Sequence, residues 1–127
     1  MKIKVSIGEV IDKLTILDIK RKKIKDESKL INVKKEYDYL REAVETKYRI
    51  TTDNDFYRVL FTINSELWEI EDSIRDLERS QTFNDSFIQL ARSVYFKNDE
   101  RARIKKEINI RYNSDLIEEK SYSNYVN

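Results

Sequence analysis

The sequence contains no cysteine and no histidine. A disulfide framework is therefore excluded, and so are zinc sites built on thiolate or imidazole. A cysteine nucleophile and any histidine-centred triad are excluded as well. Chemistry, if any, falls to carboxylates, Lys, Tyr, Ser/Thr or an oxygen-ligated metal such as Mg²⁺. Absence of cysteine fits a cytoplasmic setting. Proline is missing too, and glycine occurs once. These residues interrupt regular backbone, so their scarcity predicts long helices. No apolar run reaches the roughly 18 residues of a membrane-spanning helix. The first residues, MKIKVSIGEVIDK, lack the unbroken apolar stretch of a secretory signal. Neither sign of charge dominates: 25 Lys/Arg against 24 Asp/Glu leave +1. General attraction to nucleic acid or an anionic membrane is not expected from that balance.

What remains is a charged chain with a modest apolar complement. Its 127 residues suit one domain, and five Phe, eight Tyr and one Trp supply bulk for one core. Ser6 stands three before Glu9, the spacing of a capping box, ahead of a stripe of Ile7, Val10, Leu14 and Leu17. Ile16 and Ile19 give this first helix a second apolar side, which suits a central helix or a dimer contact. The helix is expected to end near Asp26, with Asp26 or Ser28 capping a second helix striped by Leu30, Val33, Tyr37, Leu40 and Val44. Thr52 or Asp53 is placed to cap a third. There Phe56, Leu60, Ile63, Leu67, Ile70, Ile74 and Leu77 repeat at alternating spacings of four and three, the seam of nearly aligned helices. Tyr57, Phe61 and Trp68 widen that seam and read as core. RSQTFND reads as a turn, and a fourth helix runs from about Asp85 to Tyr112. The expected fold is all-α: a small four-helix bundle, mostly antiparallel because its connections are short, in a single domain over 1–127. The tail, 113–127, has no period; Leu116, Ile117, Tyr122 and Tyr125 are its candidates for docking on the bundle.

Polar residues intrude on the apolar arcs. At about 100° per residue, Asn64 and Glu71 fall inside the arc of the third helix, and Asp18 and Arg21 inside that of the first. On the fourth helix, Asn98, Lys105 and Asn109 continue the line of Ala91, with Arg101 at its edge. Two readings follow. In one the groups form a satisfied buried layer that fixes register, with Asp18 paired to Arg21 and Lys105 meeting Glu71. In the other they line a pocket between helices. Lys105, Arg101 and Arg21 would hold an anion such as a phosphorylated small molecule. Glu71 and Asp18 would hold a metal or cationic group, the asparagines would orient the ligand, and Lys120 or Tyr122 would close over it. Acid spacings add a metal reading. Glu9-x-x-Asp12 and Glu66-x-x-Glu69-x-x-Asp72 each place carboxylates on one helix face, and Glu66, Glu69 and Glu71 are the candidate Mg²⁺ ligands. The run Ile19–Lys25 is locally basic. It reads as a solvated helix end with cations near the negative dipole terminus, and alternatively as a weak nucleic-acid contact.

The segments SIGEVIDKLTILDIKRKKI, ELWEIEDSIRDLE, FIQLARSVYFKNDERARIKKEIN and EEKSYSNY resemble a family of small uncharacterised all-helical bacterial and phage proteins. That resemblance implies a standalone cytoplasmic protein or module and carries no activity. A more distant likeness is to the all-α nucleoside triphosphate pyrophosphohydrolases of the MazG and dimeric dUTPase type. It implies Mg²⁺ held by acid pairs and phosphates held by downstream Lys and Asn. In those enzymes the second acid pair lies on the following helix, whereas here Asp72 follows Glu66 and Glu69 on the same one. Composition and pattern together favour a homodimeric helical interaction module whose polar layer is structural and which needs no cofactor. The alternatives are a Mg²⁺-dependent pyrophosphohydrolase and a nucleic-acid binder.

Overall fold

A computed structural model describes residues 1–125. It consists of α1 (Ile7–Lys23), α2 (Glu27–Tyr48), α3 (Asp55–Arg79) and α4 (Asp85–Arg111), with no strand among the described residues. The protein is a small all-α bundle, as its periodicities predict. No helix among the described residues is long and apolar enough to cross a membrane.

Each helix starts on a side-chain acceptor, which satisfies amide protons that no intrahelical carbonyl can reach. Ser6 Oγ takes the Glu9 amide at 3.2 Å, and Asp26 Oδ1 takes Ser28 and Lys29. Asn54 takes Phe56 and Tyr57, and Asn84 takes Phe87. Neither Thr52 nor Asp53 caps α3. Both lie within a turn closed by the Asn54 amide on the Thr51 carbonyl, and Asn54 is the residue with extended backbone at the helix mouth. With one glycine in the chain, the left-handed positions that end helices go to Arg49, Gln81 and Asn113.

Helix α1 packs against all three others, whereas the backbone of α2 approaches only that of α1. That central position explains the second apolar side of α1, where Ile19 is buried. Cross-helix pairs set direction. Gly8, Glu9 and Asp12 meet Asn109, Lys105 and Arg101 in turn, so α1 and α4 are antiparallel. Asn54 meets Tyr112 and Glu66 meets Lys97, so α3 and α4 are antiparallel too. The core holds Ile11, Leu60 and Ile108 at its centre, with Leu14, Leu17, Ile63 and Ile104 around them.

The core does not extend along the whole of α3 and α4. At 1.5 Å per residue these helices are about 12–15 Å longer than α1. From Trp68 to Arg103 no residue is buried. The far ends of α3 and α4 therefore form a two-helix arm that α1 and α2 leave uncovered.

Candidate functional site

The polar residues converge on α1. Asp12 sits at the centre, only 1% exposed. Its Oδ1 accepts from Arg101 Nε (2.8 Å) and Asn64 Nδ2 (2.9 Å), and its Oδ2 accepts from Arg101 Nη2 (2.5 Å). Thr15 Oγ1 accepts from the same Asn64 amide at 2.8 Å and donates to the Asp12 carbonyl. Residues of α1, α3 and α4 thus close one buried layer, and no buried side-chain polar atom among the described residues lacks a partner. The Asp12 carboxylate holds the Arg101 guanidinium more firmly protonated than usual, against the opposing effect of burial. A two-point guanidinium–carboxylate pair is directional, so it ties the rotation of α4 to that of α1.

One turn away, the start of α1 is held by the end of α4. The Gly8 amide donates to Asn109 Oδ1 at 2.6 Å, and the Ile7 amide donates to Ser114 Oγ at 3.1 Å. The sole glycine is required here. A Cβ at position 8 would lie 2.5 Å from the Lys105 carbonyl oxygen, a backbone atom that cannot swing aside. Glu9 does not complete the capping box; its carboxylate reaches Lys105 Nζ at 2.6 Å. That bond draws the Glu9 carboxyl below the ordinary glutamate range. Farther along α1, Asp18 accepts from Arg21 at 2.8 Å and from the Tyr57 hydroxyl at 3.0 Å. Arg21 also lies over the Tyr37 ring, 4.2 Å from its centroid. Burial first, then the Asp18 charge, push the Tyr57 phenol well up, so it remains a donor.

Asn98, Arg101, Lys105 and Asn109, which α4 presents in one line, border a cavity of about 170 Å³. Its other wall is the tail, which turns back along α4. Glu118 approaches Lys105 at 3.5 Å, Glu119 grips Lys106 at 2.9 and 3.0 Å, and Lys120 faces Asp99. Tyr125 meets Tyr95 and Phe96, with ring centroids 5.2 and 5.0 Å apart. The tail therefore docks through charges and Tyr125; Leu116, Ile117 and Tyr122 stay exposed. Residues 126–127 of the expected tail lie outside the described residues.

Of the candidate residues, Asp18 and Arg21 pair as expected, and Asn64 and Arg101 share a layer. Asn98 joins its edge, 3.4 Å from Arg101 Nη1. Glu71 does not enter the interior and does not meet Lys105. It is exposed and faces Arg75 at 3.7 Å, and it borders one groove with Asn64, Asn98 and Arg101. The reason is height along the helices: pairing Glu66 with Lys97 puts Glu71 level with the residues near Arg92, about 20 Å from Lys105. The three candidate Mg²⁺ ligands are engaged by three different cations, Glu66 by Lys97, Glu69 by Lys23 and Glu71 by Arg75. No cluster of three acidic side chains able to hold a metal forms among the described residues. The basic run is largely absorbed as well, with Arg21 on Asp18, Lys22 over Phe61 and Lys23 on Glu69.

Sequence reasoning missed Asp12 and Thr15 as the centre of the layer. Thr15 follows Asp12 by three and Asp18 follows Thr15 by three, a polar line on α1 that was open to the same wheel.

A family model covers residues 1–127 in full, described as a family of unknown function, DUF6165. The chain belongs to that family. No curated protein and no solved structure matched the chain.

Proposed function

We propose that the chain is a helical association module, a cytoplasmic homodimer that pairs through the α3–α4 arm. The observation that supports this reading is the incompletely covered seam. Ile70, Ile74 and Leu77 continue the heptad of α3 without a break, yet each is only partly buried. Phe83 and Ile88, on the turn and α4, are 55% and 50% exposed. A two-helix hairpin cannot bury such a seam alone, and a second hairpin would close it as an intermolecular four-helix bundle.

A groove of about 400 Å³ at the root of the arm continues the seam, floored by Ile16, Ile19, Leu67 and Trp68. Its rim carries both signs, Glu71 and Asp72 beside Arg75. Mixed charge on one patch is self-complementary under a two-fold axis, which favours a second copy over a partner of uniform charge. In this reading the Asp12–Arg101–Asn64–Thr15 layer is structural. It fixes the register of α1 against the hairpin, so the arm projects at one angle.

Sedimentation equilibrium of the full chain tests the proposal. A dimer that becomes a folded monomer on Ile74→Glu supports it. A monomer at every concentration overturns it, as does a dimer indifferent to that change.

A further inference from the structure

We propose that the cavity between α4 and the tail is a binding site for a small dianionic oxyanion of the phosphate-monoester class, with Glu118 as a built-in occupant that the ligand displaces. Its lining contains four cations, Arg101, Lys105, Lys106 and Lys120, and one carboxylate, Glu118. Each of these cations is paired with an acid outside the void, but inside it cations outnumber carboxylates four to one, and an excess of one sign in a concave wall favours an oppositely charged ligand.

The four cations have neighbours, but those neighbours leave capacity. Arg101 commits Nε and Nη2 to Asp12, while Nη1 has only the 3.4 Å contact with Asn98. Lys105 has three N–H donors; Glu9 holds one at 2.6 Å and Glu118 approaches loosely at 3.5 Å. Asn109 commits its carbonyl to Gly8 and lines the same space. Planar guanidinium and ammonium donors around one void suit a tetrahedral anion with several acceptor oxygens.

Glu118 supports the displaceable role. It belongs to the tail rather than to a helix, its side chain is 57% exposed, and it shares Lys105 with another carboxylate, Glu9. A dianion entering the cavity replaces a weak, screened contact and separates two like charges.

The proposal is tested by NMR titration of the full chain at constant ionic strength with inorganic phosphate, glycerol phosphate and, as control, glycerol. Saturable shifts at the Asn98, Arg101 and Lys105 amides are expected from both phosphates. Glu118→Gln should bind about threefold tighter, the size expected for removing one half-exposed competing charge. Lys106→Gln combined with Lys120→Gln, at sites half open to water, should bind at least about threefold weaker with an unchanged thermal melt. Equal affinity for the two phosphates supports a site for the free anion, and tighter binding of the ester supports one for a phosphorylated small molecule. Shifts that do not saturate, affinities untouched by Glu118→Gln or by the double lysine change, or an equal response to glycerol would each overturn it.

Discussion

The two halves of α3 carry one unbroken heptad and have opposite fates. Over its first half, Tyr57, Leu60, Ile63, Asn64 and Leu67 are buried. Over its second half, Ile70, Ile74 and Leu77 have the same spacing and the same chemistry, and each is only partly buried. The difference is not in the helix but in what stands beside it. Near Leu60 the hairpin meets α1, whereas beyond Trp68 it has only its own other strand of helix, α4. Periodicity thus states which face is apolar, and the lengths of neighbouring helices decide how much of that face is covered.

Alanine substitution gives the largest expected difference between the two halves. Leu60→Ala removes a fully buried side chain and should cost about 2–5 kcal/mol in urea unfolding. Leu77→Ala, on the same seam, should cost less than about 1 kcal/mol when measured on the monomer, because little packing is lost. Equal costs would mean that the arm is covered in the free chain. The next effect sits at the junction of α1 and α4. Gly8→Ala gains up to about 1 kcal/mol of helix propensity. It also drives a Cβ to 2.5 Å from the Lys105 carbonyl, so a net loss of about 1–3 kcal/mol is expected in thermal melts. A stabilised Gly8→Ala protein would show that the two helices do not approach this closely.

The smallest expected effect is electrostatic and confined to the base of the bundle. The folded value of Glu9 lies below its unfolded one. Its contribution is therefore complete above the ordinary glutamate range and is lost as pH falls through the lowered folded value. Because the Glu9 side chain is 41% exposed, water screens the pair and the contribution should stay below about 1 kcal/mol. Comparing acid titrations of stability for the native chain and Glu9→Gln measures it. The native curve should drop more steeply on the acid side; identical curves would remove the Glu9–Lys105 pair from any stabilising role.

Much of this architecture was legible in the residues. Capping by Ser6 and Asp26, the stripe of each helix and the turn around Gln81 are local, because each depends on neighbours within about four positions. Helix α4 also displayed its polar line, and Asn98, Arg101, Lys105 and Asn109 do border one cavity. Their partners were not legible. Arg101 lies 89 positions from Asp12, and Lys105 lies 96 from Glu9. Glu71 shares a groove with Asn64, Asn98 and Arg101 but stands at the wrong height to meet Lys105, and no wheel records height.

The amino-acid order alone determined four helices, their apolar faces and the exclusion of thiol and imidazole chemistry, because each follows from local backbone preference or from residue type. Only the tertiary structure decided that α1 is central and that Asp12 holds the layer. It also set the single glycine at a close helix approach and left the far half of the α3 seam only partly covered. Those outcomes depend on the relative height and rotation of helices far apart in the chain, which are fixed by packing across the core rather than by spacing within any one segment.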